Sequence, residues 1–122
     1  MRLRLPRRRI VRQRAIFDAA FARGRRVADR CLTLIVLGDA PEKPFPDTGE
    51  AAFLTPKRLG DASLRNRLRR RLREAYRRHR PELLPAAGTR LIWLAKSPAT
   101  ALDFAELVTH MKDLHTRSLR DR

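Results

Sequence analysis

The stretch RNRLRRRLREAYRRHR, residues 65–80, constrains the fold more than any other. Nine of its sixteen residues are arginine and one is glutamate. At about 100° per residue, Leu64, Leu68, Leu72, Ala75 and His79 fall in one narrow sector of a helical wheel, while Asn66, Arg70, Arg73 and Arg77 fall almost opposite. The spacing predicts a helix over 62–80, closed by Pro81, with a leucine seam for packing and a cationic face that cannot be packed. Glu74, four residues from Arg70 and next to Arg73, offers one carboxylate to the whole face. Solvated charged faces usually mix signs, because like charges at i, i+4 destabilise a helix. Here the balancing acids are missing, so the face calls for an external anion. Arginine suits phosphate, since its planar fork binds two oxygens at once and stacks on bases.

The imbalance extends to the whole chain. Its 122 residues, one domain by length, carry 29 Lys+Arg against 13 Asp+Glu, a formal charge of +16. Self-repulsion on that scale opposes compaction unless a polyanion is near. Nucleic acid is the first candidate and an anionic membrane surface the second. The most apolar run, 31–37, is far too short to span a bilayer, and no apolar signal-peptide core follows the basic start MRLRLPRRR. Cys31 is the one cysteine, which excludes an intrachain disulfide. Together these features predict a cytoplasmic protein.

With hydrophobic residues at 43%, the chain can build a core around the arginine helix. Residues 1–9 read as a flexible basic arm. A first helix is predicted over 11–23, stopped by Gly24, with Phe17, Ala20 and Phe21 on one face. A short strand is expected over 25–28 and a buried one over 31–37. Residues 38–50 hold three prolines, two glycines and four carboxylates against Lys43, and read as an acidic loop that phosphates would repel. A strand over 51–55 is expected to pair antiparallel with 31–37. Another strand, 91–95, precedes a third helix with Phe104, Leu107, Val108, Met111 and Leu114 on one stripe, which Asp103 and Glu106 introduce as a capping box. The order αβββαβα predicts an α+β two-layer sandwich, three helices packed on a small sheet of about four strands.

Few residues suggest chemistry. No carboxylates are grouped as a two-metal nuclease would need. His110 and His115, five apart, do not share a helical face, so no metal site is predicted. His79 and Cys31 read as packed residues, and no phosphate loop or nucleophile motif occurs. No catalytic residue is assigned. Phe17 and Phe21 admit two readings: core residues of the first helix, or a partly open surface on which single-stranded bases stack among Arg12, Arg14, Arg23, Arg25 and Arg26.

The segment LGDASLRNRLRRRLREAY, 59–76, resembles the signature of the bacterial ribonuclease P protein component, centred on Arg65-Asn66-Arg67. The spacing of Phe17, Phe21 and Gly24, the pair Lys57-Arg58 before Leu59-Gly60, and the segment AKSPATALDFAEL at 95–107 are similar to the same family. The resemblance runs from about Arg14 to Leu119. Pro56 departs from a common serine, and Ile35 stands where an aromatic is often seen.

The resemblance implies a left-handed βαβ crossover through the arginine helix, where a right-handed one would be the norm. It implies a catalytic RNA subunit that uses magnesium to remove the 5′ leader of precursor tRNA, with no cofactor bound by the protein alone. Arg65, Asn66, Arg67, Arg70 and Arg73 would contact that RNA, with Arg77 on the same face. Phe17, Phe21, Lys57 and Arg58 would line or border a cleft for the leader. Precursor tRNA is then the second partner, and no membrane or obligate protein partner is expected. The alternative is a structural binder of ribosomal RNA; the scarcity of grouped carboxylates disfavours a protein-only nuclease.

Overall fold

The computed structural model describes residues 18, 21–38 and 47–120. The strands are β1 (Arg25–Ala28), β2 (Leu32–Leu37), β3 (Ala51–Leu54) and β4 (Arg90–Ala95). The helices are α1 (Ala62–Arg78), α2 (Arg80–Leu83) and α3 (Phe104–Arg120), with 3-10 turns at Lys57–Leu59 and Ser97–Ala101. Residues 18 and 21–23 are helical and Gly24 is not, as the predicted stop requires. The basic arm, the rest of the predicted first helix with Phe17, and residues 39–46 of the acidic loop lie outside the described residues.

The sheet is mixed, with strand order β1-β2-β4-β3. β1 pairs antiparallel with β2, β2 antiparallel with β4, and β3 parallel with β4. The predicted antiparallel pairing of 51–55 with 31–37 is therefore wrong. Thirteen residues lie between β2 and β3, too many for a two-residue hairpin turn, so closeness in the chain does not fix β3 beside β2. β4, whose residues Leu91, Ile92, Trp93 and Ala95 are all buried, takes the central place between them. Parallel neighbours need a crossover connection, and α1 provides it.

Register explains the two faces. Val27, Leu34, Trp93 and Phe53 form one cross-strand row, all buried, on the side covered by the helices. α1 lays Leu68, Leu72, Ala75 and Tyr76 on this side, and the Tyr76 ring meets Phe53 edge-on at 5.7 Å. α3 adds Leu107, Val108, Met111 and Leu114, packing over β1 and β2. On the opposite face Ile35, Leu37, Ala52 and Ile92 form a second, smaller cluster. The sandwich of the sequence reading is thus observed, with a small apolar patch on its far side.

The helix ends follow local chemistry. The Asp61 carboxylate accepts the Leu64 N–H at 2.8 Å and caps α1. The capping box of α3 closes both ways: Glu106 donates its N–H to Asp103 at 2.8 Å, and the Glu106 carboxylate accepts the Asp103 N–H at 3.1 Å. α1 ends at Arg78, two residues before the predicted limit. His79 is its C-cap, and Pro81, lacking an N–H, sits in the first turn of the short α2 instead of extending α1.

Gly60 joins the 57–59 turn to α1 at φ 146°, and a Cβ there would come within 2.6 Å of the Leu64 side chain. Non-glycine residues in such conformations cost about 1–3 kcal/mol. Gly60→Ala is expected to lower the melting temperature, read by circular dichroism, and an unchanged melt would refute this.

A second lock sits at the β1–β2 turn. Asp29 Oδ1 accepts the N–H groups of Cys31 and Leu32 at 2.8 and 2.9 Å, and Oδ2 meets His110 Nδ1 of α3 at 2.7 Å. Burial alone would raise the Asp29 pKa; the bonds from His110, Leu32 and Cys31 outweigh it and hold the carboxyl below its ordinary value. A depressed carboxyl stabilises the fold above its unfolded value, about 3.9, and loses that contribution as pH falls through the folded value. Asp29→Asn is therefore expected to cost most stability near neutral pH. The gap from wild type should close below about pH 3.9; a gap constant with pH would refute the role.

Candidate nucleic-acid interface

α1 presents the predicted cationic face. Asn66, Arg67, Arg70, Arg73 and Arg77 are exposed, while Arg65 is half-buried. Opposite them the seam is buried, except that Leu64 and His79 are half-buried. Tyr76, fully buried, joins the predicted seam, and its spacing of four from Leu72 and eight from Leu68 is the signal that places it there. Burial, with the Glu50 charge beside it, pushes the Tyr76 phenol well above its usual value.

The charges on this face are not equivalent. Glu74 turns away from Arg70 and Arg73 and binds Arg77 at 2.5 and 3.0 Å and Arg78 at 2.9 Å. The hydrogen bonds from Arg77 and then Arg78 hold its carboxyl down at about 2. The described end of the acidic loop folds back on Arg73 of α1 and on Arg80 of α2, just beyond it. Asp47 stands 3.4 Å from Arg73, and Glu50 binds Arg80 at 2.6 Å. Asp47 is itself anchored, accepting the Phe53 N–H at 2.8 Å. By contrast, among the described residues no carboxylate pairs with Arg65, Arg67, Arg69 or Arg70. Arg69 donates to the Asn66 side chain at 3.0 Å. The first two turns of α1 are therefore its unneutralised half.

Lys57 and Arg58 are both exposed on the 3-10 turn just before α1 and continue that half. Pro56 begins the turn with an extended backbone, φ −61° and ψ 155°. Of the two phenylalanines, only Phe21 is described. Half-buried, it packs on the patch of Ile35, Leu37, Ala52 and Ile92. Arg26 lies over its ring at 5.5 Å and donates to its carbonyl at 2.9 Å. Phe21 is therefore divided between the two readings, with one side packed and one under a guanidinium. Ile35 is fully buried in the same patch. The structure thus sets Phe21 and Arg26 on the face of the sheet away from α1, and Lys57 and Arg58 beside the N-terminus of α1.

Asp29, Cys31 and His110 bring their donor atoms within 4.8 Å of one another. The mix of thiol, imidazole and carboxylate does not suit magnesium, which takes oxygen ligands. The Asp29 oxygens are engaged by the turn and by His110. His110 and His115 do point apart, as their spacing implies: His115 is buried, with Nε2 2.8 Å from the Leu84 carbonyl. Among the described residues no helix is long and apolar enough to cross a membrane.

The Ribonuclease P family model matches residues 5–118. The chain belongs to the ribonuclease P protein family. It is 39% identical over 109 residues to the ribonuclease P protein component of Thermobifida fusca, covering 87% of this chain and 72% of that one. With the component of Desulfovibrio desulfuricans it shares 36% over 118 residues, covering 95% and 87% of the two. The fold is that of the RNase P protein from Thermotoga maritima (TM-score 0.69, 19% identity, 95% and 97% of the chains covered) and of the one from Staphylococcus aureus (TM-score 0.68, 22% identity, 85% and 89% covered).

The asymmetry of α1 has a measurable consequence. Each phosphate contact contributes about 0.7 to 0.9 to the slope of log affinity against log salt. Removing Arg67 and Arg70 together by alanine substitution is expected to flatten that slope by close to two contacts. Removing Arg77 and Arg78 together should flatten it less, because their charge is already met by Glu74. Equal losses from the two pairs would show that Glu74 yields both arginines to RNA.

Proposed function

We propose that this chain is the protein subunit of a ribonuclease P holoenzyme, an endonuclease that removes the 5′ leader of precursor tRNA. It binds the catalytic RNA subunit through α1 and borders the leader path with the opposite face of the sheet. The observation that carries the reading is the unneutralised half of α1, where among the described residues no carboxylate pairs with Arg65, Arg67 or Arg70, in a chain of this family. Lys57 and Arg58 add charge at its start, and Arg73 and Arg77 extend the contact once RNA displaces Asp47 and Glu74.

The leader path runs along Phe21, where a base can stack on the half-open ring and a phosphate can meet Arg26. Phe17 belongs to the same path by resemblance. Ile35, fully buried in the patch beneath Phe21, supports that ring and adds none of its own to stack on. The chain itself supplies shape and positive charge. Magnesium and the attacking water are assigned to the RNA subunit, since the donor set of Asp29, Cys31 and His110 does not suit that ion.

Purified protein, freed of RNA by denaturation and nuclease treatment, is expected to leave precursor tRNA uncut at any magnesium concentration. Added to the RNA subunit, it should speed 5′ cleavage and raise affinity for precursor tRNA above that for mature tRNA. Phe21→Ala should reduce that preference. Cleavage by protein alone would overturn the reading. Co-purification with ribosomal subunits in place of a single RNA would favour a structural binder of ribosomal RNA.

A further inference from the structure

A second cationic surface forms at the other edge of the sheet. β1 is an edge strand, and Arg23, Arg26 and Arg30 on and around it are exposed. The last turns of α3 bring Arg117 to the same edge, and Arg120 is exposed one turn further on. Arg25 Nη1 donates to the Ser118 carbonyl at 2.6 Å, and Arg117 Nη2 reaches the Ala28 carbonyl at 3.4 Å. Asp113 stands 3.6 Å from Arg117, but among the described residues no carboxylate pairs with Arg23, Arg30 or Arg120.

Charges on an edge strand commonly guard against sheet-to-sheet pairing. That role needs neither a cavity nor exposed apolar side chains, and this edge has both. A cavity of about 390 Å³ opens here, with Arg23, Arg25 and His115 beside Val36, Leu91 and Leu119. The two exposed large hydrophobics among the described residues both stand close by. Leu119, 46% exposed, lines the cavity, and Leu84, 39% exposed, precedes its lining residue Pro85 and is bonded through its carbonyl to His115. An apolar wall with a few fixed polar groups is the usual make-up of a ligand site. Two of the polar groups here, Arg23 and Arg25, are guanidinium cations, so the fitting ligand joins an anion to a flat apolar body.

We propose that this cavity takes one unpaired nucleotide of an RNA strand, its phosphate at Arg23 and Arg25 and its base against Leu119. The inference rests on the RNA-binding function proposed above and adds a contact that α1 cannot make. Three strand spacings, about 14 Å, separate the β1 edge from β3, on which α1 packs. The nucleotide belongs either to the catalytic RNA or to precursor tRNA; both offer the same phosphodiester chemistry.

Leu119→Cys is suited to carry a photo-crosslinker, because the native Cys31 is fully buried. The labelled protein is assembled with the RNA subunit and precursor tRNA and irradiated, with Arg70→Cys labelled in parallel. A crosslink from position 119 to either RNA supports the site, and its target identifies the source of the nucleotide. A crosslink from position 70 but none from 119 overturns this inference and leaves the proposed function standing. Crosslinks from neither position overturn both. Arg23→Gln should also flatten the salt slope for the RNA so identified by about 0.7 to 0.9, the value of one phosphate, without changing the melt. An unchanged slope would remove the phosphate from Arg23.

Discussion

A helix as cationic as α1 can be held in a fold only along its apolar seam, and the rest of the structure is arranged around that fact. Leu68, Leu72, Ala75 and Tyr76 are the anchors. Burying a leucine-sized side chain is worth about 1.5–3 kcal/mol, and an edge-to-face aromatic pair such as Tyr76 with Phe53 adds about 0.5–1.5. The seam has to face the sheet, so the arginines have to face away from it. Orientation of the binding surface is thus a by-product of core packing. No residue of the cationic face needs to be held by a specific partner to point outward.

The few acids near α1 do not spread their charge evenly. Glu74 and Asp47 serve the second half of the helix, and Glu50 serves Arg80 of α2 just beyond it. This concentrates positive potential at the first two turns, next to Lys57 and Arg58. A polyanion approaching the molecule is drawn to that half first. The arrangement lets one helix be both a structural crossover and an oriented binding surface.

Much of this was legible in the sequence. The leucine spacing of α1, the capping box at Asp103 and Glu106, and the stop at Gly24 are local signals, and local signals are read from neighbours in the chain. What was not legible was non-local. The partner of β3 depends on which strand wins the centre of the sheet. The uninterrupted apolar run of β4 is a sign of that place, but closeness in the chain points β3 to β2 instead. The pairing of Asp47 and Glu50 with arginines of α1 and α2, and of Asp29 with His110, joins residues roughly 30 to 80 apart in sequence. No periodicity announces such pairs. Glu74 had arginines on both sides at helical spacing, and the choice of Arg77 and Arg78 was decided by side-chain geometry. Phe21 could not be assigned to core or surface because it is partly both.

The central place of β4 also sets an order of assembly. A ribosome delivers β1, β2, β3 and α1 before it delivers β4, the strand that joins β3 to the rest of the sheet. Until residue 95 has been made, β3 has no partner strand and α1 lacks the Trp93 side of its packing surface. Pairings across so many residues form slowly, and partly formed sheets with open strands are prone to associate wrongly. During that interval β1 and β2 are the only described strands with a partner to pair with, and the segment after them carries the arginines of α1. Its solubility then depends on mutual charge repulsion and on whatever anions surround it. The arginines that equip the finished molecule to meet RNA therefore also keep its unfinished copies apart.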